Sequence, residues 1–296
     1  MTLGGALVAL VIVPLIAAAD VDPAATSDDH GNLEVIYRPT SKYPMLSAAL
    51  KERGVVEELV AALNIKYALP TTMPIVFMEC GTENAFWNPR EHRIELCYEF
   101  LNLLGVTFKA AYEADHERGL AMRHGLAFAF LHELGHALCA AWGVRGTRQD
   151  QEINADQLAT LALLEMGPHY AGAAIDGADF FRRLDPVVSP DSRAFFDEHL
   201  LGQQRYYQIL RLVYGSDRET YKIVATLLPQ LAKEGADAAG DFEEVKEKWR
   251  PYFQRHELTQ SSGAELEGLV RRAELIRHQG TSSGRSAARK ALPSAH

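Results

Sequence analysis

The chain has 296 residues, a formal net charge of −9 and 47% hydrophobic content, which is room for one large core or two modest ones. The acidic balance argues against nucleic acid or an anionic membrane surface as the partner. Three cysteines are too few for a disulfide-dense scaffold, and no internal repeat is visible.

Residues 3–19 form a short apolar run ending in Ala17-Ala18-Ala19 before Asp20. This reads as the h-region and small-residue cleavage site of a secretory signal over residues 1–19, so export to the periplasm or the exterior is expected. The signal is atypical because its first five residues carry no lysine or arginine. A retained membrane helix is disfavoured by Pro14 and by length, since about 20 apolar residues are usual. Residues 20–32 are a polar linker.

The alternation Leu33-Glu34-Val35-Ile36-Tyr37-Arg38 predicts a strand. Ser41 is placed to cap a helix running to Leu63, with Gly54 a candidate break. Residues 74–80 and 93–97 predict two more strands, separated by a turn-rich loop over 81–90 that carries Phe86 and Trp87. Cys80 and Cys97 fall in these adjacent strands and are disulfide candidates across the hairpin, the alternative being two buried thiols. From Tyr98 onward the pattern is helical, over 98–113, 117–142, 148–166, 191–214, 221–231, 242–254 and 264–278. Residues 279–296 are a Ser/Gly/Ala/Arg-rich tail. The expected fold class is α+β and mainly helical, with a small antiparallel sheet N-terminal to a helical part. One domain spans 33–258, divided at residue 97, and is followed by the segment 259–296.

The apolar helix around Phe130 contains His132-Glu133-Leu134-Gly135-His136. Histidines at i and i+4 share a helix face, so both imidazoles can reach one point. Two neutral imidazoles converging there suit zinc, which takes nitrogen at about 2.0–2.1 Å. Glu133 lies too far round the helix to be a further ligand but can accept a proton from water in an open position. Gly135, costly inside a helix, implies that something approaches its backbone closely. By itself the pentapeptide also suits a buried helix whose polar tips are satisfied by neighbours.

The downstream helix adds a second half. Thr147 with Asp150 resembles a capping box, and the short connection before it makes the two helices antiparallel. The rise from His136 to Trp142 is about 9 Å and the return from Thr147 to Glu152 about 7.5 Å, so Glu152 comes level with His136. Asp156, about 6 Å further, comes level with His132. One helical hairpin can therefore offer His132, His136 and Glu152 to a single Zn2+, with Asp156 accepting from an imidazole N–H. The bland reading of Glu152 and Asp156 is a solvated acidic face beside Arg145 and Arg148. Cys139, one turn beyond His136, reads as a small buried hydrophobe.

His132-Glu133-Leu134-Gly135-His136 followed by Glu152-x-x-Ala155-Asp156 resembles the gluzincin branch of zinc metallopeptidases. More narrowly, the chain resembles a bacterial family of metallopeptidase-like domains of unknown function, through Cys80-Gly81, Asn84-Ala85-Phe86, Ile94-Glu95-Leu96-Cys97-Tyr98-Glu99, Ala155-Asp156-Gln157-Leu158-Ala159, Asp197-Glu198-His199, Gln204-Arg205-Tyr206-Tyr207 and Tyr214-Gly215-Ser216-Asp217. The resemblance implies a zincin-like fold, zinc and peptide-bond hydrolysis, without specifying a substrate. It also marks a departure: Arg211 stands where such chains often carry a cysteine, and the partner cysteine before Phe242 is missing too.

On this reading Glu133 is the general base and His199 the first candidate for stabilising the oxyanion, followed by Arg205 and Tyr206. The alternative for each of the three is an ordinary interhelical hydrogen bond. The loop 81–90 and strand 93–97 would wall a cleft whose sheet edge takes an extended peptide. The expected partner is a peptide or protein substrate, with no nucleic acid and no stable membrane insertion. The competing class is a non-catalytic, zinc-containing module that binds peptides without cutting them.

Overall fold

The computed structural model describes residues 30–184 and 202–258. The chain enters on strand β1 (Leu33–Tyr37) and crosses over through helices α1 (Pro44–Arg53) and α2 (Val55–Lys66). It returns on β2 (Met73–Met78), parallel to β1. A helical crossover between neighbouring strands is what makes parallel pairing possible. The two helices are separate because Gly54 adopts φ +59°, a left-handed conformation that ends α1. Helix α1 starts at Pro44 rather than at a Ser41 cap, and the Thr40 hydroxyl, not Ser41, accepts from the Tyr43 amide at 3.0 Å.

Two strands follow, β3 (Ala85–Asn88) and β4 (Arg93–Cys97), giving a four-stranded sheet of order β1-β2-β4-β3. The sheet is mixed, which corrects the antiparallel expectation: β2 pairs β4 in parallel, and only β3 with β4 is antiparallel. The reason is β3 itself, a strand inside the segment read as a loop. It takes the edge and turns the chain so that β4 slots in beside β2. The unbroken apolar run of β2 agrees with this, since a central strand with parallel neighbours is buried on both faces. Cys80, just past β2, and Cys97, closing β4, are joined by a disulfide with Cα atoms 5.4 Å apart. The bond thus links the ends of two parallel strands, with the β3 turn enclosed between them.

β4 runs directly into α3 (Tyr98–Ala111), and α4 (Asp115–Ala141) then traverses the molecule. Every residue from Gly125 to Gly135 is buried, as befits a helix packed on all sides by α2, α3, α5 (Arg148–Glu165), α6 (Pro168–Leu184), β3 and β4. Helix α5 begins with a complete capping box between Thr147 and Asp150. Helix α6 was not predicted. Its glycines and acidic residues dilute the apolar pattern, yet Ala173, Gly177, Phe180 and Leu184 form a buried stripe at helical spacing.

Beyond it lie α7 (Gly202–Ser216), α8 (Lys222–Leu227), α9 (Pro229–Lys233) and α10 (Gly235–His256). The single helix expected over 221–231 is broken at Leu228–Pro229, and α10 starts earlier than the expected 242. Trp249 of α10 is fully buried against Cys139, Leu158 and Leu212. Among the described residues no helix is long and apolar enough to cross a membrane.

Candidate metal centre

The short α4–α5 connection sets two antiparallel helices side by side, and Gly135 sets how close they come. A Cβ at Gly135 would lie 2.8 Å from the Ala155 Cα and 3.0 Å from its carbonyl oxygen. The missing side chain is therefore what lets α5 approach the face of α4 that carries the histidines.

His132, His136 and Glu152 converge, with one donor atom of each inside a 4.8 Å cluster. The His132 and His136 Nε2 atoms are 3.2 Å apart, and Glu152 Oε1 and Oε2 lie 3.3 Å from His136 Nε2 and 3.4 Å from His132 Nε2. Four-coordinate tetrahedral binding at about 2.0–2.1 Å separates ligand atoms by about 3.3–3.4 Å. Donor chemistry and spacing thus both fit a divalent cation. His132 and Glu152 are buried at 2% and 4% exposure, whereas the His136 side chain is 17% exposed, so the centre opens on the His136 side.

Asp156 lies behind His132, with Oδ1 2.8 Å from Nδ1. That contact fixes the ring with Nδ1–H toward the carboxylate and Nε2 toward the cluster. Arg205 of α7 clamps the same carboxylate: its Nε donates to Oδ2 at 2.9 Å and its Nη2 to Oδ1 at 2.6 Å. The guanidinium also lies 3.5 Å over the Phe181 ring of α6. Burial pushes the Asp156 carboxyl up, but Arg205 and His132 outweigh it and hold the group down at about 2. For His132, burial and Arg205 push down while Asp156 and Glu152 push up and prevail, holding the imidazole at about 9 without a metal. A proton in that ring does what a cation would do: it compensates the buried carboxylates.

Glu133, 6% exposed, points elsewhere, and its Oε2 accepts the Trp87 backbone N–H of β3 at 2.7 Å. Asn84 turns its C=O toward β4, accepting from the Cys97 amide at 3.2 Å. Antiparallel alternation then turns the main-chain groups of Ala85 and Trp87 outward, and the Trp87–Glu133 bond is that outward N–H. The Trp87 side chain packs edge-on against His92, with centroids 5.1 Å apart.

The structure thus brings together His132, His136, Glu152 and Asp156, while Glu133, next to His132 in α4, is bonded to β3. His199 lies outside the described residues. Arg205 is committed to Asp156, and Tyr206 turns toward Arg182 on α6, with the guanidinium 5.1 Å from its ring centre. Sequence reasoning missed Phe181 because α6 itself went unassigned. It missed the Trp87 amide because a main-chain group leaves no mark in a sequence. An apolar void of about 40 Å³, bordered by Leu131, Leu134, Leu138, Trp142 and Phe253, lies on another face of α4 and offers nothing to the metal cluster.

The sequence profile of one family matches residues 38–253, and the family is described as "Putative metallopeptidase". The chain belongs to this family. The matched region takes in the sheet from β2 onward, both halves of the donor cluster, and Arg205. No curated protein and no solved structure matches the chain.

Proposed function

We propose that the protein is a zinc-dependent metallopeptidase that hydrolyses peptide bonds. The observation that carries this reading is the triangle of His132, His136 and Glu152 donors, together with a further buried acid, Glu133, that follows His132 in the same helix and accepts from a sheet-edge amide. His132, His136 and Glu152 would hold the ion, a two-His, one-Glu set that leaves a coordination position open. When bound, zinc supplies Lewis acidity, which makes water easier to deprotonate near neutral pH and polarises a carbonyl oxygen.

Glu133 takes the proton from the attacking water and delivers it to the leaving amine. The Trp87 N–H orients its carboxylate for this. Asp156, held by Arg205, keeps His132 in the tautomer that turns Nε2 inward. The outer edge of β3 takes the substrate as an added strand, bringing a backbone carbonyl past Glu133. A substrate amide pairing there meets the outward carbonyls of Ala85 and Trp87, already extended, while the outward N–H groups are held by Asn84 Oδ1 and Glu133; this lowers the ordering cost of binding.

The apolar run at residues 3–19 and a disulfide within the domain together support an exported enzyme, since structural disulfides persist in oxidising compartments. Amino-terminal sequencing of secreted protein should begin at Asp20.

The test is metal content together with hydrolysis of a denatured protein substrate, with and without chelator. Stoichiometric zinc and chelator-sensitive cleavage are expected, and Glu133→Gln should keep the zinc while losing activity by about 10²–10⁴-fold. Undiminished cleavage by that variant would sink the mechanism. Bound zinc with no cleavage at all would assign the chain instead to the peptide-binding, non-catalytic class.

A further inference from the structure

The Cys80–Cys97 disulfide closes a ring, 17 residues apart in sequence, that contains all of β3 and its turn to β4. The central strands have little need of it: β2 is paired on both sides, and β4 carries the fully buried Ile94 and Leu96. β3 differs. It has four residues, is paired along one side, and lies at the edge of the sheet, where strands open most readily.

Other contacts reinforce the two ends of the same hairpin. At the entry, the Cys80 and Gly81 amides both donate to the buried Glu99 carboxylate, at 3.1 and 3.0 Å, and the Cys97 amide reaches the Asn84 carbonyl. At the far end, Asn88 Nδ2 donates to Glu95 at 2.8 Å, and its Oδ1 accepts from the Arg90 and Glu91 amides. Between these anchors sits the Trp87 N–H that meets Glu133.

We propose that the Cys80–Cys97 disulfide and Glu99 are positioning residues: they hold the β3 edge at the register in which it aligns an extended peptide with Glu133. The proposal rests on the peptidase reading for its consequence, but the constraint on β3 can be measured without it. Opening the bond with a phosphine converts the disulfide to two thiols, with water supplying both thiol protons and the oxygen of the phosphine oxide. Neither cysteine belongs to the donor cluster, so the metal should stay.

The full-length zinc-loaded protein is compared oxidised, reduced and reoxidised, on an extended peptide of about eight residues and on a blocked dipeptide. Reduction is expected to lower kcat/KM for the long peptide about ten-fold, mainly through KM, and for the dipeptide less than about two-fold. Zinc stoichiometry should be unchanged, and reoxidation should restore the long-peptide rate. The Cys80→Ala/Cys97→Ala double variant should reproduce the reduced enzyme, and Glu99→Gln should move the same way. Equal losses on both substrates, or loss of zinc, would mark the bond as a general staple and overturn the proposal; no change on either substrate would overturn it too. Hydrogen exchange supplies the readout independent of activity: the amides of residues 85–88 should lose protection on reduction while those of β2 keep theirs. Unchanged protection refutes the clamp. Failure of the oxidised protein to cleave either substrate refutes the peptidase reading and leaves the exchange result to decide the clamp.

Discussion

Asp156 and Arg205 make a buried ion pair whose value lies in what it does to His132. Replacing Asp156 with Asn removes the charge that fixes the imidazole, and zinc affinity should fall by about 10–100-fold, read by competition with a chromophoric chelator. Arg205→Met is expected to be more damaging to the fold. It strands a buried carboxylate, with an expected loss of about 3–5 kcal/mol in denaturant unfolding. A loss below about 1 kcal/mol would mean that water reaches Asp156. Cys139 offers a pH test away from the metal. Burial pushes its thiol up to about 11, with Lys248 opposing weakly. Because the folded value exceeds the ordinary 9.0, the thiol's contribution to stability is complete below pH 9 and disappears as pH rises through about 11. Native protein at pH 8 should therefore react with a thiol reagent far more slowly than denatured protein. Denatured, unreduced protein should titrate one thiol, and three after reduction.

At the scale of elements, the α4–α5 contact decides the geometry of the site. Gly135→Ala adds helix propensity, worth about 1 kcal/mol, but its Cβ meets Ala155 backbone atoms, which cannot swing aside as a side chain can. The net expectation is destabilisation by about 1–3 kcal/mol, with weaker zinc binding because Glu152 is carried away from the histidines. A more stable variant with intact zinc affinity would show that the helices can separate without cost to the site. Arg211 shows another element-level solution. Its guanidinium reaches Asp241 and Glu234, both at 2.5 Å, and so ties α7 to α10 and to the residue before it. This is the place where the family resemblance leaves the chain without a second pair of cysteines.

Across the whole molecule, the His132–His136–Glu152 cluster joins α4 and α5 to each other, while Asp156 and Arg205 extend the connection to α7. A ligand that binds only the folded state stabilises it by mass action, by about 4 kcal/mol at a thousand times its Kd. Chelation should accordingly lower Tm by several degrees, and added zinc should restore it; an unchanged Tm would mean that the helices hold the site without help.

Much of the candidate donor cluster is legible in the sequence. His132 and His136 follow from helical periodicity alone, and Glu152 and Asp156 follow from adding helix rise across a short, well-capped connection. Those are local quantities, set by 3.6 residues per turn and by the Thr147–Asp150 cap. The pairing of β2 with β4 could not be read this way, because it depends on which strand takes the edge, and β3 is too short to announce itself between turn residues. Helix α6 went unread because most of its buried positions are alanine or glycine, and with it went Phe181 beneath Arg205. The role of Arg205 was likewise invisible, since an arginine in a polar helix looks the same whether it faces a substrate or a buried carboxylate. The sequence thus determined the two-helix cluster of candidate metal donors. Only the tertiary structure decided which main-chain edge faces Glu133, because that depends on non-local strand order rather than on the periodicity of any one segment.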